Sequence, residues 1–130
     1  MSNSGATYLA VIGNIVASRQ LANRAYWQRE LEKLMSQLNA ECAESITSRF
    51  TITMGDEFQA LLHSSAALAE LWHRLAVKRL PFAVRLGIGV GSISTDLKPD
   101  AVGMDGPAFY HARAAVEWLK CHGGLFHVQS

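Results

Sequence analysis

The sequence of 130 residues has little of what marks several common classes of protein. Its two cysteines, Cys42 and Cys121, have no CxxC or CxxxH spacing, which excludes a disulfide framework and a cysteine-based zinc motif. Charged residues make up 18% and the net charge is +1, so no global field would draw the chain onto nucleic acid. No run approaches the roughly 18 apolar residues of a membrane span, and the N-terminus has no basic region typical of a signal peptide. We therefore expect free thiols, a cytoplasmic location and no direct binding to membranes or nucleic acid.

The apolar residues, 49% of the chain, fall into short extended runs and longer helical patterns, which indicates one domain spanning residues 1–130. Strands are predicted over 8–13, 49–54, 58–62, 82–90 and 125–128, and helices over 24–43, 67–78 and 107–122. We place Asn23 and Asp105 at the N-caps of the first and third helices. The first six elements follow the β-α-β-β-α-β order of the ferredoxin-like arrangement. The prediction is an α+β fold, with an antiparallel sheet and helices packed mainly on one face.

Two adjacent carboxylates lie at the predicted tip of a β-hairpin, in the stretch Gly55-Asp-Glu-Phe58. Hairpin tips favour Asn-Gly or Asp-Gly, so Asp56-Glu57 is unusual there. Mg²⁺ is commonly held by one or two carboxylates together with substrate phosphates. Asp56 and Glu57 are therefore candidate metal ligands, and the alternative is a solvated turn with two ordinary charges.

Two further features suggest a place for a phosphate-bearing ligand. Gly87, Gly89 and Gly91 recur at every second position, so they line one face of a strand and leave room for something to lie against its backbone. Ser18 and Arg19 follow the first strand, and a planar guanidinium binds phosphate well. We take Gly87, Gly89, Ser18 and Arg19 as candidate cofactor-binding residues, although a lone arginine is often only a surface residue.

The hairpin, the glycine strand and the third helix together resemble two families of nucleotide enzymes. Gly55–Phe58, Leu86–Val90 and Ala108–Arg113 are similar, in that order, to the GGDEF domain of diguanylate cyclases. The same segments resemble class III nucleotidyl cyclases, whose strand motif is matched by Arg85–Gly91. The resemblance implies a palm-like ferredoxin core that holds a nucleoside triphosphate with Mg²⁺, a phosphate-facing role for Arg113, and a homodimer.

A closer overall resemblance is to the SatD family of bacterial proteins. Its motifs are matched by Ile12–Arg19, Phe50–Gln59, Gly87–Thr95 and Gly103–Ala108, which cover most of the chain. Members of the family can continue into a C-terminal helix-turn-helix, which we expect to be absent from this chain. The resemblance implies a bacterial setting, but it specifies no reaction.

The chain departs from the catalytic families at two important positions. The aspartate that ends the first strand of palm enzymes, where it binds metal, is matched here by Asn14, which offers a neutral carbonyl oxygen. The asparagine that orients the ribose in cyclases is matched by Phe109, which cannot form a hydrogen bond. The expectation is a weak metal site at Asp56, Glu57 and Asn14 that holds Mg²⁺ only together with a nucleotide.

Three functions are compatible with these observations. The first is a nucleotide-binding palm domain with weakened catalysis, which binds a nucleoside phosphate. The second is an interaction or dimerisation module that retains the motif residues for structural reasons. The third is an active Mg²⁺-dependent, cyclase-like enzyme, against which Asn14 and Phe109 both argue. We favour them in that order, and no residue selects the base.

Overall fold

The aliphatic run at the start of the chain forms the central strand of a five-stranded sheet. The computed structural model describes residues 6–16, 22–54, 56–78 and 82–130. Its strands are β1 (Tyr8–Ile15), β2 (Ile46–Met54), β3 (Glu57–Leu62), β4 (Val84–Gly91) and β5 (Phe126–Gln129). They lie in the order β2-β3-β1-β4-β5. The first four pair antiparallel, as predicted, whereas β5 adds to β4 in parallel because a helical crossover joins the two.

Helices cover both faces of this sheet. They are α1 (Arg24–Glu41), α2 (Ala66–Lys78) and α3 (Pro107–His122). Helices α1 and α2 share one apolar core with Val11 and Phe58, and α3 shares a second core with Ala10 and Ile12 on the opposite face. The α+β ferredoxin-like palm is thus confirmed, with two helices on one face and α3 on the other. Within the described ranges, no helix has the length and hydropathy needed to cross a membrane.

One predicted helix cap is confirmed in position and the other is wrong. Asn23 is the N-cap of α1, with a left-handed backbone and φ of 58°, but its side chain makes no capping hydrogen bond. Gly106, not Asp105, is the N-cap of α3, with φ of 140°, a backbone conformation that favours glycine. The Asp105 carboxylate instead accepts a hydrogen bond from the Gly106 N–H at 3.0 Å.

The segment between β4 and α3 covers one edge of the sheet. Arg49 in β2 donates its N–H to the Pro99 carbonyl at 2.7 Å, and its guanidinium pairs with Asp100 at 2.8 Å. The buried Ser48 hydroxyl donates to the carbonyl of Lys98. Backbone groups on the β2 edge therefore have partners, while β5 forms the opposite edge.

Candidate functional site

Three polar residues form a row across the end of the sheet. In the strand register, Asn14 of β1 lies directly opposite Glu57 of β3 on one side and Arg85 of β4 on the other. Directly paired residues on adjacent strands share a face, so the three side chains start from the same face. This is the α3 face, because Ile12 belongs to the core beneath α3. The predicted proximity of Asn14 to the hairpin is confirmed for the backbone.

Glu57 is bound by Arg113 of α3 through two parallel hydrogen bonds. Arg113 Nη2 donates to Glu57 Oε1 at 2.6 Å and Nη1 to Oε2 at 2.9 Å. The Glu57 side chain is 11% exposed and that of Arg113 42%. Hydrogen bonding from Arg113 lowers the pKa of Glu57, against the opposing effect of burial, and the same bonds raise the pKa of Arg113. Glu57 is therefore ionised near neutral pH and fixes the guanidinium at the end of the sheet.

Replacing Glu57 by glutamine is expected to destabilise the protein by about 1–2 kcal/mol at pH 7, less than for a fully buried pair because solvent screens Arg113. Since the pKa of Glu57 is lowered on folding, its contribution is present above its unfolded pKa of about 4.3 and is lost as pH falls through the folded value. Urea unfolding of wild type and Glu57→Gln between pH 7 and pH 3 should show this difference shrinking below about pH 4.

Glu117→Gln is the matched control for that measurement. Glu117 is 57% exposed and lies 3.4 Å from Lys120, so its replacement should change stability by less than about 1 kcal/mol. A stability difference between wild type and Glu57→Gln that stays constant down to pH 3 would show that the Glu57–Arg113 pair does not stabilise the fold.

The residues of the predicted metal site do not fit a divalent cation in this arrangement. Both carboxylate oxygens of Glu57 are occupied by Arg113, and Asn14 supplies no negative charge. Asp56 lies in the turn before β3, half-buried, with its carbonyl bound by the Ile15 N–H at 2.8 Å. That leaves one carboxylate, and no group of three or more acidic, histidine or cysteine side chains that could hold a metal occurs in the described ranges.

The glycine face of β4 is covered by the chain itself. A Cβ at Gly87 would lie 2.5 Å from the Ala112 carbonyl oxygen, and one at Gly89 would overlap backbone atoms of Ala108 and Ala112. These glycines let α3 approach the strand, so the predicted space is filled by helix backbone rather than open to a ligand. Gly87 and Gly89 therefore do not offer a cofactor-binding surface. Ser18 and Arg19 lie outside the described residues.

Arg85 is the residue of this site that sequence reasoning did not single out. It appears in the cyclase-like strand motif, yet only the register with β1 shows that it lies beside Asn14. Phe109, which the sequence resemblance matches to a ribose-orienting asparagine, is 8% exposed and belongs to the core beneath α3. The resemblance predicted metal and ribose ligands at Asn14 and Phe109, and the structure has a polar row and an aromatic core residue at these positions.

Comparisons of the structure and of the sequence with known proteins show which fold and which family the chain has. The structure resembles a bacterial light-regulated adenylyl cyclase, with a TM-score of 0.66, 10% identity, and coverage of 95% of this chain and 75% of that one. It also resembles a microbial GGDEF domain described with bis-(3′,5′)-cyclic di-GMP, with a TM-score of 0.54, 18% identity, and coverage of 96% and 77%. At these identities the likeness shows the fold alone. No curated protein matches. The SatD family model matches residues 8–124, and the chain therefore belongs to the SatD family.

Proposed function

We propose that this SatD family chain is a nucleotide-binding palm domain that binds a nucleoside phosphate without turning it over. The observation that carries the proposal is the polar row, in which Asn14 lies between Arg85 and the Glu57–Arg113 pair. Arg113 has five N–H donors, of which two bind Glu57, so three stay free of that pair to bind phosphate. The 42% exposure of its side chain leaves the guanidinium accessible to a ligand.

The fold neighbours support a nucleotide as the ligand class. One is named an adenylyl cyclase and the other is a GGDEF domain described with a cyclic dinucleotide. The polar row argues against turnover, because two-metal phosphoryl chemistry needs carboxylates that hold two ions about 3.5–4 Å apart. Asn14 is neutral and Glu57 is occupied, so the carboxylates for such a centre are lacking. We also propose a bacterial, cytoplasmic setting, which the family and the free thiols of Cys42 and Cys121 support.

A thermal-shift screen tests binding. Nucleoside triphosphates, cyclic mononucleotides and cyclic dinucleotides are each added with Mg²⁺ and with EDTA. A ligand at a hundredfold excess over its Kd stabilises the folded state by about 2.7 kcal/mol, which should raise Tm by several degrees. We expect at least one phosphorylated nucleotide to do so, and its effect to shrink in Arg113→Lys, which retains the charge but not the fork.

The absence of turnover is tested on the same samples by chromatography of the nucleotides after prolonged incubation. We expect no cyclic or dinucleotide product above a control without protein. Product formation with Mg²⁺ or Mn²⁺ would favour the active, cyclase-like enzyme instead. That alternative has less support, because both Asn14 and Phe109 depart from the catalytic pattern.

An interaction module is the second candidate, and the β5 edge favours it. Large apolar side chains that are 40–47% exposed gather around this edge: Trp72, Trp118, Leu125, Phe126 and Val128. The strand itself carries no charged residue that would discourage pairing with another strand. A flat response to every nucleotide at millimolar concentration, together with a homodimer in sedimentation experiments, would support this candidate over nucleotide binding.

A further inference from the structure

Arg85 carries a positive charge next to Asn14 that no described carboxylate neutralises. The two residues are register partners on β4 and β1, and Arg85 is half-buried. Its guanidinium forms none of the ion pairs among residues 6–16, 22–54, 56–78 and 82–130. A half-buried arginine with no ion-pair partner among the described residues is unusual, because its desolvated charge normally has a carboxylate nearby.

The other charges near the row do not neutralise the positive charge of Arg85. Arg113 neutralises Glu57, and Lys120 pairs with Glu117 on the exposed side of α3. Asp56 lies outside the row, in the turn before β3. A divalent cation beside Asn14 would therefore meet the charge of Arg85, and the one carboxylate of the row, that of Glu57, is already paired with Arg113. The positive charge of Arg85 favours an anion beside Asn14 instead.

We propose that Arg85 takes the place of a metal ion in this site, so that the phosphates of the nucleotide bind directly to the guanidinium groups of Arg85 and Arg113, with no divalent cation. The inference rests on the nucleotide binding proposed above and specifies how the phosphates are held. Arginine suits this role because its planar fork matches two phosphate oxygens and is weakly hydrated.

Asn14 fits the same role. An aspartate at this position would repel a phosphate, whereas the asparagine amide donates hydrogen bonds to it. Asn14 on β1 and Arg85 on β4 therefore act together. Asn14 replaces the carboxylate of a cation site, Arg85 replaces the metal ion, and both changes favour an anion.

The test measures Kd by calorimetry for ATP and GTP, each in EDTA and in Mg²⁺, with the full chain. The variants are Arg85→Ala, Arg85→Gln, which retains the length of the side chain, and Arg85→Lys. Arg29→Ala is the matched control, since it removes an exposed arginine from α1 on the opposite face of the sheet. Circular dichroism and the Tm of each free variant establish that it is folded.

We expect the better-bound triphosphate to have a similar Kd in EDTA and in Mg²⁺. Its Kd should rise about 10- to 100-fold in Arg85→Ala and Arg85→Gln, less in Arg85→Lys, and remain unchanged in Arg29→Ala. The affinity of the wild type should also fall with added salt, and less steeply in Arg85→Gln, because one fewer charge contacts phosphate.

Two results would overturn the inference while leaving the proposed function intact: binding that requires Mg²⁺, or wild-type affinity in both Arg85→Ala and Arg85→Gln. Equal affinity for the nucleoside without phosphates would overturn both. Binding of neither triphosphate in either buffer would overturn the inference, and would overturn the proposed function as well if no nucleotide of the thermal-shift screen binds. Inorganic triphosphate that binds in EDTA and is lost in Arg85→Gln would support the inference by placing the affinity in the phosphates.

Discussion

Replacing Gly89 by alanine is expected to destabilise the protein by about 3 kcal/mol or more, at the upper end of the cost of overpacking. The added Cβ would overlap the Ala108 carbonyl and the Ala112 nitrogen, and both are backbone atoms of α3. A flexible side chain could rotate away, but helix backbone cannot, so α3 must move off the sheet and lose core contacts. Urea unfolding of wild type and variant gives the difference directly.

Gly91→Ala is the graded control for this change. Its Cβ would lie 3.0 Å from the Ala108 nitrogen, so a shift of a few tenths of an ångström accommodates it and a loss of about 1 kcal/mol or less is expected. Equal losses at Gly89 and Gly91 would contradict the packing of α3 on the glycine face. Unchanged stability of Gly89→Ala with weaker nucleotide binding would instead restore the interpretation of this face as a ligand surface.

The glycine strand shows what a sequence pattern can and cannot establish. Glycine at every second position predicts correctly that something approaches one face of β4 closely. It does not say what approaches, because a ligand and a helix backbone both require the missing Cβ. The answer depends on where α3 lies, and the amphipathic pattern of α3 does not specify which face of the sheet it covers.

The fold itself was largely predictable because its elements have clear periodicity. Leu31, Leu34 and Leu38 mark the buried face of α1, and all three are buried in the structure. The β-α-β-β-α-β order then leads to the observed arrangement of the first four strands. The start of α3 was less predictable. Its N-cap has a positive φ that favours Gly106 over Asp105, and the composition does not show this backbone conformation.

The sequence predicted most of the residues of the site, but not which of them bind one another. Asn14, Glu57 and Arg113 were each identified, yet no sequence signal indicates that Glu57 binds Arg113, 56 residues away. Arg85 was missed because its importance comes from its register with Asn14, and strand alternation alone leaves register undetermined. Contacts between distant segments thus pair Glu57 with Arg113 and place Arg85 beside Asn14, which is the arrangement on which the proposed anion site rests.

Replacing Asn14 by aspartate is expected to make nucleotide binding depend on a divalent metal. The new carboxylate would lie beside Arg85, offset its positive charge and repel phosphate. In EDTA, the Kd for the triphosphate should therefore rise about 10- to 100-fold. With Mg²⁺ or Mn²⁺ present, the new carboxylate would supply a ligand of the kind that binds Mg²⁺ together with substrate phosphates, so binding should recover.

Two controls separate this effect from a general change of charge. Asn23→Asp adds the same charge at an exposed position before α1 and should leave the Kd unchanged in both buffers. Asn14→Ala removes the amide without adding charge, so it should weaken binding in EDTA and should not recover with metal. If Asn14→Asp binds like the wild type in both buffers, position 14 does not face the ligand. The row of Arg85, Asn14 and Glu57 would then stabilise the sheet, and the phosphates would bind elsewhere.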